Sequence, residues 1–319
     1  MHPAVPASLS AFLFLDLSRT AISTCAAAIV LLLIALLAVR NDFSQARGME
    51  KVIALANLFF AIPLAVFGAE HFAVAQGMSQ MVPAYIPWHL FWVYFFGAAL
   101  LAASVSIATK IQVRWSGLLF GITMFLFDSL LTVPATVPDR HNRIVWILLC
   151  REASFGSGAW ALSATAIPGW GPRTQKTLIT IGRVIIGITA MFYGVQHFLH
   201  PANVPGVPLE KLLPAWIPAH MLISYGTGII LLVAGACILL AKKARMAAAS
   251  LGLWLVLLVV FIYGPILISS LLNPSADVQL EGINYIFDTM LYAGAILAFA
   301  RAMPPDRFLV RVRLGSSAV

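Results

Sequence analysis

Charged side chains are scarce in this 319-residue chain, where Asp, Glu, Lys and Arg together make up 10% of the residues. A soluble globular domain carries about 25% charged residues, because its surface faces water. Hydrophobic residues make up 61% and the mean hydropathy is +0.93, so most of the chain must face lipid. The scarcity of charge excludes an ordinary soluble domain and predicts an integral membrane protein.

Cysteine is also scarce, and Cys25, Cys150 and Cys237 each lie alone inside an apolar segment. The absence of a C-x-x-C pair argues against a dithiol redox pair and against a thiolate metal site. The chain also lacks a P-loop, a dinucleotide fingerprint, an H-E-x-x-H motif and a nucleophile elbow in a supporting context. The sequence therefore predicts no metal site and identifies no catalytic motif.

Nine apolar segments are each long enough for a helix that crosses a bilayer, which takes roughly 20 residues. They cover approximately 21–39, 52–70, 89–108, 113–133, 144–166, 178–199, 218–240, 246–272 and 283–300. A shorter apolar stretch at 11–15 cannot span the bilayer and is expected at the membrane interface. The predicted fold is all-α, a polytopic bundle of about nine transmembrane helices in contact with the lipid bilayer.

Positive charges are distributed unevenly among the predicted loops. The loops that follow odd-numbered segments, together with the C-terminal tail, hold 14 Lys and Arg residues. The N-terminus and the other loops hold four. Because positively charged loops stay in the cytoplasm, we predict that the N-terminus lies outside and the C-terminus inside. The net charge of +8 is thereby explained without nucleic acid.

The second half of the chain repeats motifs of the first half in the same order. The clearest matches are 68–72 (GAEHF) with 194–198 (GVQHF), 83–89 (PAYIPWH) with 214–220 (PAWIPAH), Pro134 with Pro265, and Glu152 with Asp288. This pattern predicts two four-helix units, at 51–168 and 177–302, that insert in the same orientation as parallel repeats. Residues 1–50 would form an interfacial segment and one extra helix, and 303–319 a basic cytoplasmic tail.

Further motifs mark the second unit: Gly182-Arg183, His200-Pro201, Val204-Pro205-Gly206, and Asp288 ahead of Ala293-Gly294-Ala295. With these residues the second unit resembles the DoxX-like family of small four-helix bacterial membrane proteins. The first unit resembles the family more loosely, since it has Asn57 in place of Arg183 and lacks the Pro-Gly stretch. The resemblance implies a membrane redox association, because some members resemble a subunit of thiosulfate:quinone oxidoreductase.

Ionisable groups inside membrane helices are costly, and they mark candidate functional sites. A protonatable carboxyl beside a histidine suits quinone chemistry, which moves protons together with electrons. The candidate catalytic residues are accordingly His71, Glu152, His197 and Asp288. The residues expected to bind a ligand are Glu70, His89, Gln196, Trp216, His220 and Tyr225.

Other roles stay open for these side chains. The histidines could cap helices, and the carboxyls could bond across helices to stabilise packing. Haem is the less favoured cofactor, because each histidine lies at a helix end, and quinone is the favoured one. The leading hypothesis is a membrane component of a quinone-associated redox system with a redox partner protein. The alternatives are a small-molecule transporter or exporter and a non-catalytic assembly partner.

Asp128 and Arg151 are predicted to form a structural ion pair. They lie in consecutive segments joined by a short loop, at depths that differ by about 3 Å at 1.5 Å per residue. Their counterparts in the second unit are Val259 and Phe287, so both charges are absent together. If the two residues form an ion pair, both charges should be lost together, because a lone charge in the membrane is costly.

Overall fold

A computed structural model describes residues 17–305 of the chain. Within that range the chain folds into a bundle of nine long helices and contains no β-strand. The predicted interfacial stretch 11–15 and residues 306–319 of the predicted basic tail lie outside the described residues. The all-α polytopic fold predicted from the sequence is confirmed.

The nine helices follow the predicted segments in number and order. They are α1 (Arg19–Gln45), α2 (Met49–Ala73), α3 (His89–Thr109), α4 (Val113–Thr136), α5 (Arg143–Ala164), α6 (Pro172–Leu199), α7 (His220–Leu239), α8 (Ala244–Leu271) and α9 (Ala276–Ala302). All except α5 are long and apolar enough to cross a membrane. α5 is less apolar because Arg151 and Glu152 lie within it. The number of apolar helices shows a multi-pass membrane protein.

Helix starts follow local capping chemistry. Ser18 accepts a hydrogen bond from the amide of Ala21 at the start of α1, and Asn142 accepts one from Ile144 at the start of α5. Such caps satisfy amides that have no partner within the helix. α6 and α9 begin several residues before the predicted apolar segments, because their polar first turns extend beyond the expected lipid boundary.

The two halves of the chain interlock within one bundle. Sequential helices pair as expected, with α2 on α3, α4 on α5, α6 on α7 and α8 on α9. However, α2 also packs on α9, and α5 packs on both α6 and α9. Helix α9 is the centre of the bundle, since 89% of its apolar 18-residue stretch is buried. Helix α1 packs outside α2, and only 22% of its own apolar stretch is buried.

Small residues bring the central helices together. Gly158 of α5 lies against Ala295 of α9, and a Cβ atom at Gly294 would lie 2.7 Å from the backbone at Phe59 and Phe60 in α2. Glycine therefore permits the backbones to approach closely, as in other membrane helix interfaces. These contacts fix α5 and α9 side by side, which decides the geometry of the polar groups described below.

Several local features recur at matching positions in the two halves. The ring pairs Phe72–Tyr94 and Phe198–Tyr225 each have centroids 5.6 Å apart. π-helical segments interrupt α4 at Asp128–Thr132 and α8 at Val259–Tyr263. The duplication stays a prediction, and these correspondences are of the kind that it leads one to expect.

One end of the bundle gathers the basic residues of several helices. Lys110 at the end of α3 lies 2.5 Å from Asp42 of α1, and Arg245 of α8 lies 2.7 Å from Glu50 of α2. Arg245 and Arg183 also donate to carbonyls at the ends of α9 and α7, where cations are favourable. We name this the basic end, and the opposite one the outer end after the predicted orientation.

Candidate functional site

Arg151 is the centre of a group of acidic side chains, here named the polar cluster (Glu70, Asp128, Arg151, Glu152 and Asp288). Its guanidinium lies 2.7 Å from Asp288 of α9 and 3.4 Å from Glu152, the next residue on α5. Asp288 lies at the middle of α9, so this ion pair joins the two halves deep within the bundle. The two carboxyls that the sequence aligned as counterparts thus share one arginine.

The predicted ion pair of Asp128 with Arg151 is wrong. Among the described residues the Arg151 guanidinium has ion-pair contacts with Asp288 and Glu152, and Asp128 has none within 4.0 Å. The reason is the position of α5, which packs against both α4 and α9. The side chain at 151 faces α9, and the next residue lies about 100° further around the helix, at 3.6 residues per turn. Glu152 therefore faces α4 instead.

The π-helical segment of α4 brings polar groups toward Glu152. Thr132 donates a hydrogen bond of 2.6 Å to Glu152 Oε2, and Asp128 lies beside the same carboxyl. Pro134 has no N–H to give to the carbonyl four residues earlier, and that carbonyl, of Leu130, accepts from the hydroxyl of Tyr85 at 3.1 Å. The interruption of α4 thus exchanges regular helix bonds for contacts that shape the cluster.

Glu70 joins the cluster from the outer end of α2. Its Oε1 accepts a hydrogen bond of 3.2 Å from Asn284 of α9, and it lies within electrostatic range of Asp288 and Arg151. The cluster thus holds four carboxyls and a single guanidinium. If all four were ionised, a membrane bundle would hold three uncompensated negative charges, which is strongly unfavourable. The geometry therefore suits groups that hold and release protons.

Some buried polar atoms around Arg151 have no hydrogen-bond partner in the described protein. Asp128 Oδ1, Asn284 Oδ1 and Arg151 Nε are buried and unpaired. Buried polar atoms nearly always pair with protein, ordered water or a ligand. The hydroxyl of Tyr292, on the same face of α9 as Asp288, is also unpaired, so the site is suited to a bound molecule that both donates and accepts hydrogen bonds.

His197 is fully occupied by protein contacts. Its Nδ1 donates to the carbonyl of Tyr193 at 2.6 Å, and its Nε2 accepts from the amide of Gly206 at 2.9 Å. This pattern requires a neutral ring and leaves no nitrogen for a ligand. The candidate catalytic role of His197 is not tested by these contacts, but in this conformation the ring holds the chain together.

His71 has a free ring nitrogen. Its Nδ1 donates to the carbonyl of Phe67 at 2.7 Å, in the same way that His197 bonds to Tyr193. No hydrogen bond within the described residues uses its Nε2, and the side chain is half-buried. With Nδ1 protonated, Nε2 is an acceptor directed away from its own helix. Of the two candidate catalytic histidines, His71 is the one able to contact a ligand.

The other predicted ligand-binding residues do not join the polar cluster. His220 bonds to the carbonyl of Pro214 at 2.9 Å, Tyr225 stacks on Phe198, and Trp216 is exposed. His89 is half-buried at the start of α3, and Gln196 is buried with its Oε1 unpaired. These five residues lie near the outer end but outside the polar cluster, and Glu70 alone of that predicted set reaches it.

Toward the basic end, α9 runs through an apolar core. Residues 291–300 of α9 are all buried, and this core includes Phe60, Leu64 and Ile186. The side chains of Arg151 and Glu152 are about one-fifth exposed despite their position within α5. The polar cluster is thus partly accessible at Arg151 and Glu152, and toward the basic end α3 and α4 line a cavity of about 330 Å³ that includes Ser106, Gln112 and Phe120.

Sequence reasoning missed several residues around Arg151. Asn284 and Tyr292 lie four residues before and after Asp288, so the three share one face of α9, a spacing that could have indicated them. Tyr193 donates to the carbonyl of Ile147 at 2.8 Å, and its ring lies 5.5 Å from that of Tyr292. Thr132 gave no signal, because its contact with Glu152 depends on the π-helical segment.

Within residues 17–305, no group of three or more His, Cys, Asp or Glu side chains is arranged to hold a metal ion. No protein-family model, curated protein or solved structure matches this chain. The resemblance to the DoxX-like family therefore stays a prediction, and function must be argued from the geometry of the site.

Proposed function

We propose that this multi-pass membrane protein is a component of a redox system that binds the head group of a quinone-type molecule at the polar cluster. One observation carries the proposal: four carboxyls surround a single guanidinium within a membrane bundle. Oxidation of a quinol releases protons together with electrons, and such a site can accept the protons. The electrons pass to a redox partner protein in the same membrane.

The unpaired acceptors fit this group of ligands. Asp128 Oδ1 and Asn284 Oδ1 are buried without partners, and a quinol carries two hydroxyl donors. His71 Nε2 supplies a third acceptor near the outer end of α2. In the proposed function these residues bind and orient the head group, and Glu152 and Asp288 hold protons that exchange with the outer side.

The apolar core around α9 favours a redox component over an open path through the membrane. Residues 291–300 of α9 are buried, so this helix offers no polar path from the cluster to the basic end. With the basic end in the cytoplasm, as the charge distribution predicts, the site faces the periplasmic side of a bacterial inner membrane. Protons released at the cluster would then leave to the periplasm.

The test is direct binding of a quinol to the purified protein. Bound lipids should contain quinone on extraction, and a short-chain hydroquinone should bind with an affinity that falls about tenfold or more in the Glu152→Gln and Asp288→Asn variants. Glu281→Gln is the control, because Glu281 forms an exposed ion pair with Lys211 at 2.5 Å. Equal binding by all four proteins, or no binding by any, would refute the proposal.

A proton-coupled transporter is the second candidate, and the paired π-helical segments favour it. The interruptions of α4 and α8 lie at matching positions, and interrupted helices in both halves are typical of transporter binding sites. Transport requires a second conformation open to the basic end. Substrate-dependent proton movement into vesicles that contain only this protein would support transport and replace the redox hypothesis.

A further inference from the structure

The loop between α6 and α7 folds into the second half of the bundle. Residues 203–208, here named the plug, are all buried, with Val204 and Val207 at most 1% exposed. Buried loops are unusual because their backbone groups need partners. The plug has them: Gly206 donates to His197, and the Pro205 carbonyl accepts from Tyr263 of α8 at 2.6 Å.

The plug fits closely against α8 and α9. Gly206 has φ +101°, a conformation that residues with a side chain rarely adopt. A Cβ atom there would lie 3.3 Å from Thr289 and 3.4 Å from Leu255. Arg143 of α5 donates to the Pro208 carbonyl at 2.8 Å, so the first half also holds the plug in place. The space at the outer end of the second half is therefore filled by the chain itself.

The first half has no such plug. Twelve positions separate His71 from Pro83, whereas seventeen separate the matching His197 from Pro214. The shorter connection forms the helix Ala75–Ser79, and within the described residues no backbone amide reaches His71 Nε2.

The exposure of α5 differs from that of α9 at the matching positions. Residues 151–153 of α5 are all half-buried, although they lie well inside their helix. Their counterparts Phe287, Asp288 and Thr289 are only 7%, 6% and 1% exposed. Phe67 and His71 of α2 are likewise half-buried, while the matching Tyr193 and His197 are buried. The first half is therefore more exposed than the second at these matching positions.

We infer that the single quinol-binding crevice of the protein lies in this more exposed region of the first half, with His71, Asp128 and Glu152 along it, and that the plug occupies the equivalent space in the second half. The inference rests on the proposed function and on the predicted duplication. The Pro205–Gly206 peptide makes the two contacts that a ligand in this space would make. Its amide donates to His197, and its carbonyl accepts from Tyr263 in the π-helical segment of α8. In the first half the unpaired atoms His71 Nε2 and Asp128 Oδ1 can accept hydrogen bonds, and Arg151 Nε can donate one. The crevice therefore offers partners both to the hydroxyls of a quinol and to a carbonyl oxygen.

Cysteine accessibility tests the crevice independently of quinol binding. In a background without Cys25, Cys150 and Cys237, Ala153→Cys and Thr289→Cys place one thiol at matching positions of α5 and α9. A charged, water-soluble thiol reagent is applied to the protein in nanodiscs, where both ends are accessible. We expect the thiol at 153 to react about tenfold faster or more than the thiol at 289. Equal rates would overturn the inference.

Protection by ligand separates the two proposals. A short-chain hydroquinone should slow labelling at 153, and His71→Phe should remove the protection. Fast labelling at 153 without protection would keep the crevice but refute quinol binding. If Ala153→Cys does not yield monodisperse protein, Phe67→Cys replaces it, with Thr289→Cys as the same reference, and slow labelling there also overturns the crevice.

Discussion

The outer ends of the two halves place the same histidine in different surroundings. His197 gives both ring nitrogens to the chain, one to α6 and one to the plug, whereas His71 keeps its Nε2 free. Both rings are set by the same bond to the carbonyl four residues earlier. The difference therefore comes from the loop that follows, which in the second half supplies the amide of Gly206 to the ring.

Polarity follows the same division. The first half carries Asp128 and Arg151, and the plugged half carries Val259 and Phe287 at the matching positions. Thr132, which donates to Glu152, corresponds to Tyr263, which donates to the plug. Charged side chains thus occur in the half without a plug, and apolar side chains at the matching positions of the half that has one.

The largest expected effect is on the ion pair that joins the halves. Arg151→Met removes the cation from Asp288 and Glu152 and should lower the free energy of unfolding by about 3–5 kcal/mol. Unfolding in detergent micelles measures it. The control Glu281→Gln breaks an exposed pair and should cost about 1 kcal/mol or less. A loss at Arg151 no larger than the control would show that the halves are not held by this pair.

Truncation of the two histidines should separate their roles. His197→Ala leaves the buried Gly206 amide unpaired and should cost about 2–4 kcal/mol of stability. His71→Ala breaks one local bond and should cost about 1 kcal/mol. The same unfolding assay checks both. Equal losses would contradict the different surroundings that the structure gives to the two rings.

Displacement of the plug should make the halves more alike. Gly206→Val introduces a side chain at φ +101° against Thr289 and should cost about 1–3 kcal/mol. It should also raise the labelling rate of the thiol in Thr289→Cys. Gly77→Ala is the matched control, because a Cβ atom there meets nothing within 4 Å. Unchanged labelling in the Gly206 variant would mean that the plug does not cover Thr289.

The smallest expected effect is a pH dependence confined to the plugged half. Desolvation and the nearby charge of Arg143 lower the pKa of His200, which lies in the loop after α6, from its ordinary value of 6.5. The unfolded chain then binds more protons than the folded one, so stability falls as the pH drops through about 6.5. Because His200 is largely solvated, the change should stay below about 0.5 kcal/mol. His200→Gln should abolish it in unfolding measured from pH 7.5 to 5.5.

Much of the fold was accessible from the sequence. The nine segments coincide with the nine helices, because a run of roughly 20 apolar residues in lipid has almost no alternative to a helix. The predicted ends of the helices were less accurate where a helix continues beyond the lipid, as in α6, which begins at Pro172 rather than at 178. Apolarity marks the lipid boundary, while capping and tertiary packing set the helix ends.

The candidate site was accessible only in part. Glu70, Arg151, Glu152 and Asp288 were identified because ionisable groups are rare in membrane helices. The pairing of these residues was not identified, because Arg151 pairs with Asp288 of α9, which lies 137 residues further along the chain. The expectation that consecutive helices supply the partner failed because α5 has neighbours on several faces. The plug was also missed, because its proline- and glycine-containing sequence resembles that of an ordinary surface loop.

The sequence by itself determined that this protein lies in a membrane, how many helices it has and which of its loops are basic. Those properties depend on local composition, which lipid constrains residue by residue. Only the tertiary structure decided that Arg151 faces Asp288, that residues 203–208 enter the bundle and that the first half is more exposed than the second at matching positions. These depend on which helix faces meet, and small residues such as Gly158 and Gly294 set those contacts between segments far apart in the chain.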